Sequence, residues 1–288
     1  MQISVLYRTH AGDNAKRRPP WYDRAAALRS LQRAQRDAGV AITVTFVVDR
    51  QMPAELVALV RPEDRVVTIT GGSASSSFRA CLGVATRLAA VDAPDTLYWF
   101  AEDDYAYRPD AFSQLASAVD AVDQADYFTL YVPDDSAWHA AHPSQPFRAL
   151  RSEEHHEQRV AGRDWHRVRQ TTSTFGVRRE ALLQDEKLLR LGSTVGAPFD
   201  AATWVALQRR TPFSWRHLLR DLDPHLSPRG LVKVPAKPVM RIVLNVVSRA
   251  RRRPPRILLA PREDLAIHLE RGMVPPDAGW DQLGQQWL

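Results

Sequence analysis

Short apolar runs rich in β-branched and aromatic residues recur along the first 132 positions. Polar stretches with helical spacing separate them. Residues 3–7, 41–48, 66–70, 96–100 and 127–132 each read as a strand, and residues 96–100 are the most strongly apolar. Between the first two, Leu28, Leu31, Ala34 and Ala38 fall on one helical face, and Gly39 supplies the stop. Pro53 starts a short helix at 53–60, where a missing N–H is harmless. Gly71-Gly72-Ser73 leads into a helix over 76–90, and Pro109 opens another to about 121. Strands alternating with helices over this length predict an α/β fold with a largely parallel sheet flanked by helices.

The second half is less regular. The pattern predicts a polar loop or helix pair over 153–166, a strand at 172–177 and a helix over 179–191. Beyond these it predicts a helix over 201–209 with Asp200 as its N-cap. Prolines crowd 212–238, an apolar-then-basic helix spans 239–250, and the tail from Pro261 reads as a short helix with turns. With no internal repeat and no clear linker, the expected organisation is one domain at 1–235 with halves at 1–132 and 133–235. A helical C-terminal extension at 236–288 follows.

Composition adds three constraints. A hydrophobic fraction of 44% and a charged fraction of 25% are ordinary for a chain of 288 residues with a sizeable core. The formal charge of +6 points to a phosphate-bearing ligand, an anionic membrane surface or nucleic acid. The single cysteine, Cys81, permits no internal disulfide, suits a reducing compartment and reads as a buried, inert thiol. No stretch approaches the ~20 apolar residues of a membrane span, and no signal peptide is recognisable. The expectation is a soluble cytoplasmic chain, at most peripheral at the inner membrane face.

The chemistry concentrates where the fourth strand ends, in Glu102-Asp103-Asp104. Ligands of open α/β sheets sit outside the carboxyl ends of the strands, and three adjacent acids there need a cation or basic groups to offset their repulsion. On an extended segment Glu102 and Asp104 would share a face. Hard oxygen ligands of this kind suit Mg²⁺ or Mn²⁺ bridging a diphosphate.

Residues 98–112, YWFAEDDYAYRPDAF, resemble the DxD segment of GT-A glycosyltransferases, with Glu in the first acidic position. Residues 71–85, GGSASSSFRACLGVA, are similar to the glycine-rich segment and helix that precede it, and Asp49 resembles the acid that contacts the nucleotide base. The resemblance covers 1–132 and implies a metal-dependent glycosyltransferase of the GT-A (Rossmann-like) fold, with 1–235 as its catalytic domain. A nucleotide-sugar donor and a carbohydrate or glycolipid acceptor would be its partners.

By the same resemblance Asp104 is the principal metal ligand, Glu102 assists it, and Asp103 meets ribose or sugar. Asp49 faces the base, Thr9 lines the nucleotide pocket, and Arg79 pairs with donor phosphate or an acid. His268, in a segment like that of relatives with a C-terminal histidine ligand, would complete the metal shell and favour Mn²⁺ over Mg²⁺. The chain departs from the family pattern where Arg50-Gln51-Met52 follows Asp49, and where the Glu-Asp dipeptide that often carries the base is missing. An inverting transferase needs a carboxylate base. Asp200 is the candidate, ahead of Asp164 and Asp185. Trp138, Trp165, Trp204 and Trp280 are candidate sugar platforms, each against a default of core packing.

The arginines at 249–256 have a simple reading, cations at a helix C-terminus, and a sharper one, contact with anionic lipid. No nucleic-acid-binding module is present, so no nucleic acid is expected. Two other functions compete. A nucleotidyltransferase would carry a glycine-rich, basic loop after the first strand, which 8–18 fits loosely with its one glycine, Gly12. A non-catalytic nucleotide-sugar-binding protein of the same fold is the other.

Overall fold

The protein is described from a computed structural model, which covers residues 1–12, 18–132, 157–196, 199–222, 236–270, 274 and 280. Four parallel strands form one half of a nine-stranded sheet: β1 (Gln2–His10), β2 (Ala41–Asp49), β3 (Arg65–Ile69) and β4 (Thr96–Glu102), in spatial order β3-β2-β1-β4. The central strand β1 is covered on both faces, which is why residues 3–7 are apolar except for Ser4. Ile3, Val5 and Tyr7 pack with α1 (Arg24–Arg36) and α4 (Ala111–Ala121). Leu6 packs on the opposite side with α3 (Ala74–Ala89). Asp23 caps α1 by accepting the Ala25 N–H, and Ser73 caps α3 by accepting that of Ser76. Helices on both faces of one large sheet make this a mixed α/β fold of the Rossmann-like type.

Beyond β4 the sheet is mixed. β9 (Phe175–Arg178) runs antiparallel to both β4 and β6 (Tyr127–Phe128). β10 (Leu258–Pro261) lies parallel to β6, and the hairpin of β7 (Gln158–Val160) and β8 (Arg163–Val168) closes the edge. The expected loop or helix pair at 153–166 is thus a hairpin over its described part. β7 is an edge strand, and its middle residue is the charged Arg159. Leu258-Leu259-Ala260, consecutive buried residues with no helical period, form β10, which the sequence pattern did not predict. The helix expected in the tail from Pro261 does not occur over 261–270. A further strand, β11 (Ala266–His268), pairs antiparallel with β5 (Tyr105–Tyr107). The segment from 236 therefore contributes a helix and also a strand inside the central sheet.

Further helices α2 (Ala54–Val57), α5 (Arg179–Gly192), α6 (Phe199–Leu207), α7 (Trp215–Leu222) and α8 (Ala236–Ala250) complete the chain. Cys81 is buried on α3, and burial pushes its thiol up to about 12, so it is inert as expected.

Asp264, in the turn between β10 and β11, yields a pH prediction. Burial pushes its carboxyl up to about 7, against the Val132 N–H that donates to it at 3.3 Å and the nearby Arg108, both of which lower it. A folded-state pKa above the unfolded one means the native state binds more protons between about pH 4 and 7, so stability falls as pH rises through that window. Asp264→Asn keeps the acceptor and removes the ionisation. It is expected to raise stability at pH 8 by about 1–2 kcal/mol, after discounting for partial solvent access, with no gain at pH 4. Thermal melts of both proteins across pH 4–8 check this.

Candidate functional site

The strand order β3-β2-β1-β4 reverses direction between β1 and β4, and a crevice opens beyond their carboxyl ends, as the connectivity of such sheets dictates. A cleft of about 540 Å³ lies there, lined by 8–12 after β1, 49–51 after β2, 72–74 and Ser77 at the start of α3, and Glu102, Asp103 and Asp104 after β4. Asp49 shapes one wall. Its two oxygens accept the N–H groups of Gly71 and Gly72, each at 2.9 Å, and so fix the turn that aims the N-terminus of α3 at the cleft. The turn demands glycine: a Cβ on Gly71 would lie 2.5 Å from Asp49 Oδ2 and 2.7 Å from Ser77 Cα, and Gly72 has φ +75°. A 16-residue helix ending in a cleft this way offers free N–H groups and a positive dipole to an anion.

The three acids each meet a base from elsewhere in the chain. Arg8 stands opposite Glu102 in the β1–β4 register, and its guanidinium donates to that carboxylate and to the Ala74 carbonyl. Asp103 is buried. It accepts the Thr9 hydroxyl at 2.6 Å and lies 3.3 Å from Arg24 Nε. Burial raises its pKa, the Asp104 charge adds to that, and Thr9 and Arg24 offset both. Asp104 Oδ2 accepts from Arg18 at 3.1 Å and lies 3.1 Å from His268 Nε2. The His268 ring stacks on Tyr105 at 4.9 Å and 6°, held by the β5–β11 pairing. Arg18 also donates to the Leu269 carbonyl and covers the Tyr22 ring.

Residues 103 and 104 form a turn, so the expectation that Glu102 and Asp104 share a face of an extended segment is corrected. Asp104 and His268 do meet. A carboxylate beside an imidazole suits Mn²⁺ or Mg²⁺. Among the described residues no group of three or more metal-ligating side chains gathers. Mg²⁺ commonly takes one or two carboxylates and completes its shell with phosphate oxygens and water, so the pair fits a cation that arrives with a nucleotide.

The remaining expected residues are dispersed. Thr9 and Asp49 line the cleft, though both Asp49 oxygens are engaged by backbone. Arg79 turns the other way along α3, donating to Ser76 and reaching Ser193 beyond α5. Asp200 sits inside the first turn of α6 rather than at its N-cap. Burial raises its pKa, the Ala201 N–H lowers it and the Glu102 charge raises it again. Asp200 lines a separate small pocket with Phe78, Thr172 and Trp204 and is no part of the cleft wall. Trp165, Trp204 and Trp280 are core residues, and Trp138 lies outside the described residues. Asp185 is locked between arginines, and Asp164, near Arg159, lies by the edge hairpin, away from the cleft.

Arg8, Arg18, Arg24 and Arg50 were not singled out by sequence. Arg8 had a usable signal: a charged residue inside an apolar strand beside one ending in acids. Arg50 also carried a hint, because it replaces the second acid of the family pattern. It holds φ +68°, uncommon for a side chain of its size, with its N–H bonded to the Ile69 carbonyl.

No protein-family model matches the chain, and no curated protein matches it. Among solved structures it is similar to CMP:2-keto-3-deoxy-manno-octonic acid synthetase complexed with CTP, at 18% identity and TM-score 0.39, over 65% of this chain and 78% of that one. It is also similar to 4-diphosphocytidyl-2C-methyl-D-erythritol synthase, at 14% identity and TM-score 0.37, over 64% and 78%. The likeness is one of coarse fold. Neither name is that of a glycosyltransferase, and the glycosyltransferase activity expected from the DxD-like segment finds no support among them.

Proposed function

We propose that the chain is a nucleotidyltransferase-type enzyme, binding a nucleoside triphosphate with a divalent cation and passing the nucleotidyl group to a small acceptor. The observation that carries this reading is the meeting of anion-binding and cation-binding groups in one cleft. The α3 N-terminus, Arg8 and Arg50 line it together with Glu102, Asp103 and Asp104. The segment after β1 adds His10 and Gly12 to the wall, and Arg18 reaches the acids from the same loop. A nucleotidyl transfer needs cations there, because negative charge grows on the departing pyrophosphate.

In this reading an acceptor oxygen attacks the α-phosphorus, the bond to the bridging oxygen breaks, and pyrophosphate leaves with the electron pair. A cation held by Asp104 and His268, with Glu102 close by, would neutralise phosphate charge when bound. Arg8 and Arg18 are placed to exchange carboxylate for phosphate partners, and the α3 N–H groups orient the phosphate chain. Thr9 and Asp103 bind the ribose. Asp200 would take the proton of a hydroxyl acceptor that reaches from the cleft to its pocket.

Calorimetric titration with CTP, UTP, GTP, ATP and dTTP, each with and without Mg²⁺ or Mn²⁺, tests the reading. A pyrophosphate-release assay with sugar acids and sugar or polyol phosphates accompanies it. Tight metal-dependent binding of one triphosphate and acceptor-dependent pyrophosphate release are expected. Binding of a nucleotide with no release under any acceptor would favour the non-catalytic alternative, and no binding at all would end both.

A further inference from the structure

The basic character of this chain is local. Residues 224–262 contain ten Lys and Arg and no Asp or Glu, and without them the formal +6 becomes −4. Within this run, α8 turns Leu244, Asn245 and Ser248 inward. Asn245 fixes that orientation by accepting the Phe213 N–H at 3.0 Å and donating to its carbonyl at 2.9 Å. The opposite face carries Val239, Val243, Val246 and Val247, which are 38, 38, 53 and 38% exposed. At helical spacing they form one stripe, with the exposed Ala236 and Ala250 continuing it at either end. A helix face open to water ordinarily carries charge, and here four valines stand in its place. Trp215 and Leu219 on α7, which packs beside α8, are exposed as well.

Charge gathers at the C-terminal end of the stripe, where Arg249, whose Nε donates to Thr211, and Arg252 and Arg253 are exposed. Arg251 and Arg256 point inward to Asp185 and take no part in this surface. We propose that the valine face of α8, flanked at its C-terminal end by Arg249, Arg252 and Arg253, docks the protein on a bilayer bearing anionic headgroups. The apolar stripe would enter the boundary between headgroups and acyl chains, while the basic residues stay at the level of the phosphates. Among the described residues no helix is long and apolar enough to cross a membrane, so the contact lies in the interface plane. Charge selects lipid over a second copy of this chain. Two such faces meeting would oppose cation to cation, with no acid between 224 and 262 to relieve them.

Co-sedimentation of the full chain with vesicles of phosphatidylcholine alone, and of phosphatidylcholine with phosphatidylglycerol, tests the proposal. Binding to the anionic vesicles is expected to be at least about tenfold tighter and to weaken with salt. Val243→Glu/Val246→Glu should abolish it, and Arg252→Glu/Arg253→Glu should weaken it by about tenfold or more. All four positions are exposed, so an unchanged melting temperature confirms folding. Val57→Glu, an exposed valine on α2, should bind as the parent does. The proposal is overturned by absent binding to anionic vesicles, or by full binding of Val243→Glu/Val246→Glu. A dimer of the parent chain that this double variant dissociates would equally overturn it.

Discussion

Asp104→Asn is expected to remove metal-dependent nucleotide binding, lowering affinity in the presence of Mg²⁺ or Mn²⁺ by at least about 100-fold. Asp104 is the one acid of the cluster in contact with both a cationic side chain and an imidazole. Its Oδ2 lies 3.1 Å from Arg18 and 3.1 Å from His268. Asparagine keeps the volume and one acceptor oxygen but loses the charge that would hold a cation. Calorimetry with the nucleotide that the parent protein binds separates two cases. If the reading is right, the residual affinity of the variant matches that of the parent protein without metal. Should the variant keep a full metal response, Asp104 serves only to anchor Arg18 and His268, and the cation belongs elsewhere. Thermal melts are needed alongside, because removing a buried carboxylate also strands its two partners. A fall in melting temperature without a change in affinity would assign Asp104 to the fold alone.

The legibility of this site in the sequence follows from what is local and what is not. Strands β2 and β4 were readable because a strand buried on both faces declares itself as an apolar run, and β1 nearly so. The exposed edge strand β3 showed through its β-branched residues, and Glu102-Asp103-Asp104 were conspicuous at the end of β4. The short strands β7, β10 and β11 carry no such signal. Each has three or four residues and owes its extended form to a partner far away in the chain, so tertiary pairing overrides local pattern. The same holds for charge. Arg8 is 94 residues from Glu102, and His268 is 164 from Asp104. Three adjacent acids announced that compensation was required, but whether a metal or the chain's own bases supply it depends on the parallel register of β1 and β4 and on the pairing of β5 with β11. Arg79 shows the converse: its place in a family-like segment suggested the cleft, whereas its helical phase directs it toward α5.

Asp185→Asn should cost about 3–5 kcal/mol of stability, the largest loss expected from a single change outside the cleft. Asp185 is 2% exposed. Its Oδ1 accepts from Arg251, and its Oδ2 accepts from Arg256 Nε at 2.7 Å and from the Tyr127 hydroxyl at 2.9 Å. One carboxylate thus ties α5 to β6 and to the turn that carries the chain from α8 into β10. Asparagine can neither balance two guanidinium groups nor accept all three donors. Arg256 keeps Asp126 as a counter-charge, but Arg251 is left with the Leu207 carbonyl in a poorly solvated place. Native stabilities of about 5–15 kcal/mol make such a loss a large share of the total. Urea unfolding should show a reduced midpoint, with Arg252→Ala, a change at an exposed neighbour, staying within about 0.5 kcal/mol of the parent. Nucleotide affinity measured well below the transition should be unchanged, because Asp185 is no part of the cleft wall. A loss under about 1 kcal/mol would mean that the two arginines find other partners, and the basic run would then hold the sheet far less firmly than its contacts indicate.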